Sequence, residues 1–278
     1  MKPLPPGTIL QLMYLRERLR KLKPGRFIEI GPGSGEISRL LLDLGWVGVS
    51  YDLEILTVQR LHKRFYLQIK EKRYDAKNLD FLATDSCNQP KADLIISCMV
   101  IEHLNDRLEE EFMHVSSRLL RHDGLMIGLV PASPSHWGIE DDIAGHNRRY
   151  TRNSLMELAS KTGWCLRHVA GLTYPISNLL LPLSNYLVLS EKSKLKLSRI
   201  EKTKASGIRN VRFKTTFPSV LGVFLNEYFL LPLHWIQKAF CASPSALVLY
   251  FEASVIRVLH TDTDSSSPRT SLNPVSRS

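Results

Sequence analysis

The chain has 278 residues and a formal net charge of +10, enough for one full α/β core plus an insertion. Its 4 cysteines (Cys87, Cys98, Cys165 and Cys241) form no C-x-x-C pair and have no histidine at metal-ligand spacing. That excludes a disulfide scaffold and a zinc knot, and the cysteines read as reduced thiols of a cytosolic protein. Residues 1–7 are proline-rich without an apolar run, so no signal peptide is expected.

Residues 8–22 read as a basic amphipathic helix, with Leu12, Leu15, Leu19 and Leu22 on one face, in an N-terminal region spanning 1–24. A short apolar strand over 27–30 then runs into Gly31-Pro32-Gly33-Ser34-Gly35-Glu36 and a helix from Ile37. A glycine turn at the carboxyl end of a strand is where an open α/β sheet binds ligands on bare backbone. In a dinucleotide fingerprint the third glycine follows after two intervening residues. Here Gly35 comes one residue early and Glu36 stands in its place. A carboxylate there repels a pyrophosphate but tolerates a phosphate-free sulfonium, and Glu29 before the turn also suits a cation.

A second apolar strand over 46–51 ends at Asp52, well placed to accept both ribose hydroxyls of an adenine nucleoside. A helix over 55–72 and a third strand over 79–83 follow, ending near Asp85, whose carboxylate would reach the exocyclic amine of adenine. Strands over 92–97, 125–130, 165–170 and from 246 complete the set, and their unbroken apolar runs suit a parallel sheet covered on both faces.

These pieces resemble a class I S-adenosylmethionine-dependent methyltransferase, with the small-molecule enzymes grouped around ubiquinone biosynthesis as the nearest type. The matching residues are Glu29-Ile30-Gly31-Pro32-Gly33-Ser34-Gly35, Asp52, Asp85, the strand over 92–97, Val100-Ile101-Glu102-His103-Leu104, the 119–125 entry to the fifth strand, and Gly145-His146-Asn147-Arg148-Arg149-Tyr150-Thr151. The resemblance covers roughly residues 25–170. It implies a doubly wound, Rossmann-like, mostly parallel seven-stranded sheet with an antiparallel last strand. It also implies S-adenosyl-L-methionine as cofactor, held by Glu29, Gly31, Gly33, Gly35, Asp52 and Asp85, with Cys98 lining the pocket. The core is expected over 25–171 with its last strand at 245–260, and the Ser/Pro/Thr-rich tail over 261–278 reads as disordered.

Between the final two strands lies an insertion, 172–244. Residues 191–214 carry nine Lys or Arg against Glu191 and Glu201, flanked by apolar stretches over 168–190 and 217–240. Prolines and asparagines argue against a pair of spanning helices. A helical lid over the acceptor pocket and an anionic-membrane contact both fit. Nucleic acid is disfavoured, because no aromatics interleave with the lysines.

For chemistry, a hydroxyl acceptor must lose a proton, and histidine is the natural base. His146 and His103 are the candidates. Arg148 and Arg149 suit either an acidic acceptor or a helix entry beside Thr151. Some related enzymes hold a divalent metal on E-x-x-E-H, but Met99 replaces the first carboxylate here, so no metal is expected. The expected activity is methyl transfer to a small-molecule or lipid-linked acceptor, at oxygen. A nucleic-acid methyltransferase using 191–214 and a non-catalytic scaffold are the alternatives.

Overall fold

The structure is a computed structural model, and it describes residues 3–85, 89–191 and 217–256. The basic run from Lys192 to Lys214, Cys87 and the 261–278 tail lie outside the described residues.

Seven strands form one sheet: β1 (Arg26–Ile30), β2 (Val47–Asp52), β3 (Tyr74–Asn78), β4 (Ala92–Cys98), β5 (Leu120–Pro131), β6 (Trp164–Leu172) and β7 (Val248–Val255). Their order is β3-β2-β1-β4-β5-β7-β6, and β7 runs antiparallel to both neighbours while the other pairings are parallel. The expected Rossmann-like sheet with an antiparallel last strand is therefore what the chain adopts.

Successive strand residues point to opposite faces, and both faces are covered. Leu94 and Ile96 of β4 pack with Leu15 of α1 (Pro6–Leu19), Leu41 of α2 (Glu36–Asp43) and Leu61 of α3 (Ile55–Arg64). Ile95, between them, joins the opposite layer with Phe112 and Met113 of a helix over Asp106–Leu119 and Leu155 of one over Arg152–Lys161. The first of these helices starts where the Asn105 side chain accepts the Leu108 N–H at 3.0 Å, and the second where Thr151 accepts that of Ser154 at 3.0 Å.

Three expectations need correction. The third strand is Tyr74–Asn78, not 79–83. At this edge of the sheet Tyr74 and Ala76 are buried, whereas Phe81 sits in a 3-10 turn whose ring packs 5.2 Å from Phe112. The apolar run over 79–83 thus plugs the core at the strand end. The long helix over 55–72 breaks at Phe65, where φ is −111°, and a short α4 (Tyr66–Lys70) follows. The Phe65 ring packs on Tyr74 with centroids 5.0 Å apart, and burying it there requires the break. Finally, α1 is not one-sided: Ile9, Leu10 and Met13 are buried along with Leu12, Leu15 and Leu19.

The reason is the insertion. After α8 (Ile176–Glu191) comes a helix over Glu227–Ala239, which packs on the outer side of α1. We label the helices at Asp106–Leu119, Ile139–Ala144, Arg152–Lys161, Ile176–Glu191 and Glu227–Ala239 α5 to α9. The buried side of α9 includes two polar residues. His234 hydrogen-bonds Glu17 at 2.8 Å, and Gln237 donates to the Leu10 carbonyl at 2.9 Å and accepts from the Thr173 N–H at 3.0 Å. Tyr228 and Trp235 on α9 are exposed, at 92% and 63%. No helix among the described residues is long and apolar enough to cross a membrane.

Candidate active site

At the carboxyl ends of β1, β2 and β4 the sheet opens into a cavity of about 540 Å³. Its floor is the turn after β1, where Gly31, Gly33 and Gly35 all have positive φ of 70°, 53° and 81°. The three glycines do different work. A Cβ at Gly33 would meet nothing within 4 Å, so this residue presents bare backbone to open space. A Cβ at Gly31 would lie 2.5 Å from Val100 Cγ2, and one at Gly35 would lie 2.6 Å from Leu61 and 2.8 Å from Phe65. Gly35 does not line the cavity; it lets α2 approach α3.

Glu29 is placed differently from the expectation. It is 2% exposed and lies outside the lining, where its Oε2 accepts from Ser38 at 2.5 Å and Ser50 at 2.7 Å. Tyr74 donates to Ser50 Oγ at 2.8 Å, closing a buried polar network beneath the turn. Burial pushes the Glu29 carboxyl up to about 7, against the hydroxyls that favour its charged form.

Asp52, at the end of β2, does line the cavity. Its Oδ1 accepts the Glu54 N–H at 2.8 Å, which fixes the carboxylate at the rim. Burial raises its pKa, opposed by that hydrogen bond. Asp85 is exposed and outside the lining. Because β3 ends five residues earlier than expected from the sequence, the strand-end acid facing the cavity is Asp80, which also caps the 3-10 turn by accepting the Leu82 N–H at 2.9 Å. Cys98 lines the cavity as expected, and burial pushes its thiol up to about 12, so it serves as an uncharged wall. From α1, Thr8 and Gln11 complete the lining, which among the described residues holds no Lys or Arg.

The polar corner is formed by His103 and His146, both lining the cavity, with ring centroids 4.8 Å apart. His103 follows β4 in a 3-10 turn, and His146 follows α6 in the segment between β5 and α7. Burial, then the neighbouring His146, depress the pKa of His103 to about 4. The His146 Nδ1–H donates to Asp141 Oδ1 at 2.8 Å, so its Nε2 points away, 3.8 Å from Glu102 Oε1. Burial would raise the Asp141 carboxyl, but hydrogen bonds from His146, Arg149 and the Gly138 N–H outweigh it and hold the group at about 2. Glu102 is fully buried, neither oxygen has a hydrogen-bond partner, and burial followed by Asp141 pushes its pKa up to about 8.

The arginines are structural. Arg149 bonds Asp141 at 2.9 Å and the Ala132 carbonyl at 2.9 Å, and Arg148 reaches Glu109 at 2.8 Å and Asp106 at 2.6 Å. Arg148 thus pins the loop carrying His146 onto α5 and Arg149 ties it to α6 and the end of β5, so the acidic-acceptor reading does not hold for them. Asp141, Glu102 and Asp80 were not picked out as site residues from the sequence. The acidic run Glu140-Asp141-Asp142 shortly before His146 was the visible signal for the first.

The fold is shared with known methyltransferases. A putative sarcosine dimethylglycine methyltransferase from Galdieria sulphuraria superposes with a TM-score of 0.55 at 12% identity, covering 87% of this chain and 84% of that one. Phosphoethanolamine N-methyltransferase 2 from Haemonchus contortus, in complex with S-adenosyl-L-methionine, gives 0.55 at 16% identity, covering 89% of this chain and 52% of that one. The pyocyanin biosynthetic protein PhzM gives 0.46 at 16% identity, covering 57% and 50%, so this chain spans about half the length of the last two. No curated protein matches the chain. The family described as "Methyltransferase domain" matches residues 9–169, more than half of the chain, and to that family the chain belongs.

Proposed function

We propose that the chain is an S-adenosylmethionine-dependent methyltransferase that methylates an oxygen of a small-molecule or lipid-linked acceptor. The observation carrying this is a single cavity that joins the bare backbone at Gly33 to the His103–His146 corner. The lining fits this cofactor. It offers open space above Gly33 and a fixed carboxylate at Asp52. When bound, the cofactor supplies an electrophilic methyl group on a sulfonium.

The chain's own part is to position, dry and deprotonate. In this reading Asp52 and Asp80, which line the cavity, hold the nucleoside, and Gly31 and Gly33 the amino-acid end. Cys98, Val100 and Leu129 give a largely apolar wall that excludes water, and holding two reactants near attack distance supplies much of the rate gain. A hydroxyl loses its proton as the new bond forms, and His146 receives it at Nε2, its ring held by Asp141. His103 packs against that ring and remains neutral at pH 7.

A second reading concerns the insertion. The outward Tyr228 and Trp235 of α9, and the exposed Leu179, Leu183 and Tyr186 of α8, support docking on an anionic bilayer that presents a lipid-linked acceptor. The positive charge of 191–214 in the sequence favours the same partner.

The test is a screen of cell extract with methyl-labelled S-adenosylmethionine, partitioned into lipid and aqueous phases. Labelled product should appear with the parent and fall at least tenfold with His146→Ala, while cofactor affinity stays within a factor of about two. Equal labelling by parent and variant would remove His146 from the chemistry, and label that survives only as an N-methyl product would overturn the oxygen assignment.

A further inference from the structure

Helix α9 has two faces of opposite character. Leu230, His234 and Gln237 are buried, while Tyr228, Phe229 and Trp235 of the same helix are exposed. The buried face is seated on α1, where Leu230 packs with Ile9, Leu10 and Met13. Polar groups fix the register of that contact. Gln237 bonds the Leu10 carbonyl at 2.9 Å, and Glu17 takes hydrogen bonds from His234 at 2.8 Å and Lys238 at 2.7 Å. Arg16 of α1 pairs with Glu227 at the start of α9. A buried amide or imidazole is costly once its partner is lost, so α9 cannot slide over α1 without leaving these groups unpaired. The two helices therefore move as one body.

The other side of α1 is a wall of the cavity, which Thr8, Gln11, Leu12 and Leu15 all line. Helix α8 reaches the polar corner in its turn. Ser184 Oγ donates to Glu140 at 2.6 Å, beside Asp141, whose carboxylate takes the His146 Nδ1–H. Both helices of the insertion thus bear on the site from one side and expose apolar side chains on the other.

We propose that docking of the outer α8–α9 face on an anionic bilayer and binding of S-adenosylmethionine in the cavity strengthen each other through α1. The inference rests on the bilayer reading above, supported by the exposed aromatic and aliphatic side chains and by the nine Lys or Arg of 191–214 in the sequence. A bilayer that takes up the outer side chains fixes α9 and, through the polar contacts, α1. The cofactor then meets a wall already in place and no longer bears the cost of ordering it. Coupling between two sites is reciprocal, so the cofactor raises bilayer affinity by the same factor. The enzyme therefore holds its cofactor best where a membrane-borne acceptor is met.

The probes are S-adenosylhomocysteine and vesicles of phosphatidylcholine and phosphatidylglycerol in equal parts, used with the 278-residue chain. Calorimetry should show binding at least fivefold tighter with the vesicles than without them, and saturating S-adenosylhomocysteine should raise vesicle affinity by a matching factor. Pure phosphatidylcholine vesicles should give no gain, and an equal gain there would overturn the anionic partner. Glu17→Ala combined with Gln237→Ala should still float but keep less than a twofold gain. Glu17→Ala alone, at a half-exposed position, serves as the second variant if the pair fails to fold. A full gain in a folded variant overturns α1 as the route. Flotation of the parent with unchanged S-adenosylhomocysteine affinity overturns the coupling and leaves bilayer docking standing. A parent that binds S-adenosylhomocysteine, sediments as a dimer and does not float puts a second copy on this face, which overturns docking and coupling together but not the cofactor reading. A parent that floats and never binds S-adenosylhomocysteine defeats the functional reading itself.

Discussion

Substitution of Gly33 by alanine separates ligand binding from folding, and the neighbouring Gly35 supplies the contrast. At both positions the backbone is left-handed, with φ of 53° and 81°, so an L side chain costs about 1–2 kcal/mol at either one. At Gly33 that is the whole cost to the free protein, because the new Cβ meets nothing within 4 Å. At Gly35 the Cβ falls 2.6 Å from Leu61 and 2.8 Å from Phe65, adding about 1–3 kcal/mol of overpacking between α2 and α3. The effect on the ligand runs the other way. A methyl group standing above the Gly33 backbone holds the ligand off by more than an ångström, and a loss of about 2–3 kcal/mol corresponds to roughly 30-fold to 140-fold in affinity. Thermal melts and calorimetric titration with S-adenosylhomocysteine measure both quantities. Gly33→Ala should melt close to the parent and bind at least thirtyfold more weakly, whereas Gly35→Ala should melt well below it and keep its affinity at temperatures where it is folded. A Gly33→Ala protein that binds like the parent would falsify the placement of the cofactor on this turn.

Asp52→Ala should weaken cofactor binding by about 1–3 kcal/mol, since the nucleoside hydroxyls lose a charged acceptor; unchanged affinity in calorimetry would remove Asp52 from the site. For Glu29, the folded pKa of about 7 lies above its ordinary 4.5, so the folded state holds the proton longer than the unfolded chain. Stability should therefore fall as pH rises from about 4.5 to 7, by up to about 3 kcal/mol, and level off above that. Glu29→Gln should lose that slope, and parallel melting curves for parent and variant across this window would contradict the assignment. If the insertion docks on a bilayer, the protein should float with anionic liposomes at low salt and much less at high salt. Gln at Lys192, Lys194, Lys196, Lys202 and Lys204 should abolish flotation without touching cofactor affinity, and flotation that persists in this variant would argue against electrostatic docking.

Much of this architecture was legible in the chain because parallel strands buried on both faces leave unbroken apolar runs. Phe27 to Ile30 and Leu94 to Ser97 announced β1 and β4, and three closely spaced glycines announced the turn between β1 and α2. Asp52 was visible for the same reason, as the acid that ends a strand. The third strand was missed because it lies at the sheet edge and alternates polar with apolar residues, while Phe81 and Leu82 beside it serve as a core plug. That single shift moved the expected strand-end acid from Asp80 to Asp85. Glu29 and Glu36 look equivalent as flanking carboxylates, yet only the fold tells that Glu29 points into the Ser38–Ser50–Tyr74 network while Glu36, at the cavity edge, pairs with Arg39 at 3.0 Å and Arg64 at 2.9 Å. The Glu102–His146 contact joins residues from two separate chain segments, and no local spacing encodes it.

A crystal structure with S-adenosylhomocysteine bound tests the central claim most directly, because it shows both ends of the cavity at once. The account predicts ribose hydroxyls within hydrogen-bonding distance of Asp52, the amino-acid end over Gly31 and Gly33, and the sulfur facing the corner of His103 and His146. A ligand bound elsewhere, or one whose sulfur is turned away from the two histidines, would contradict it.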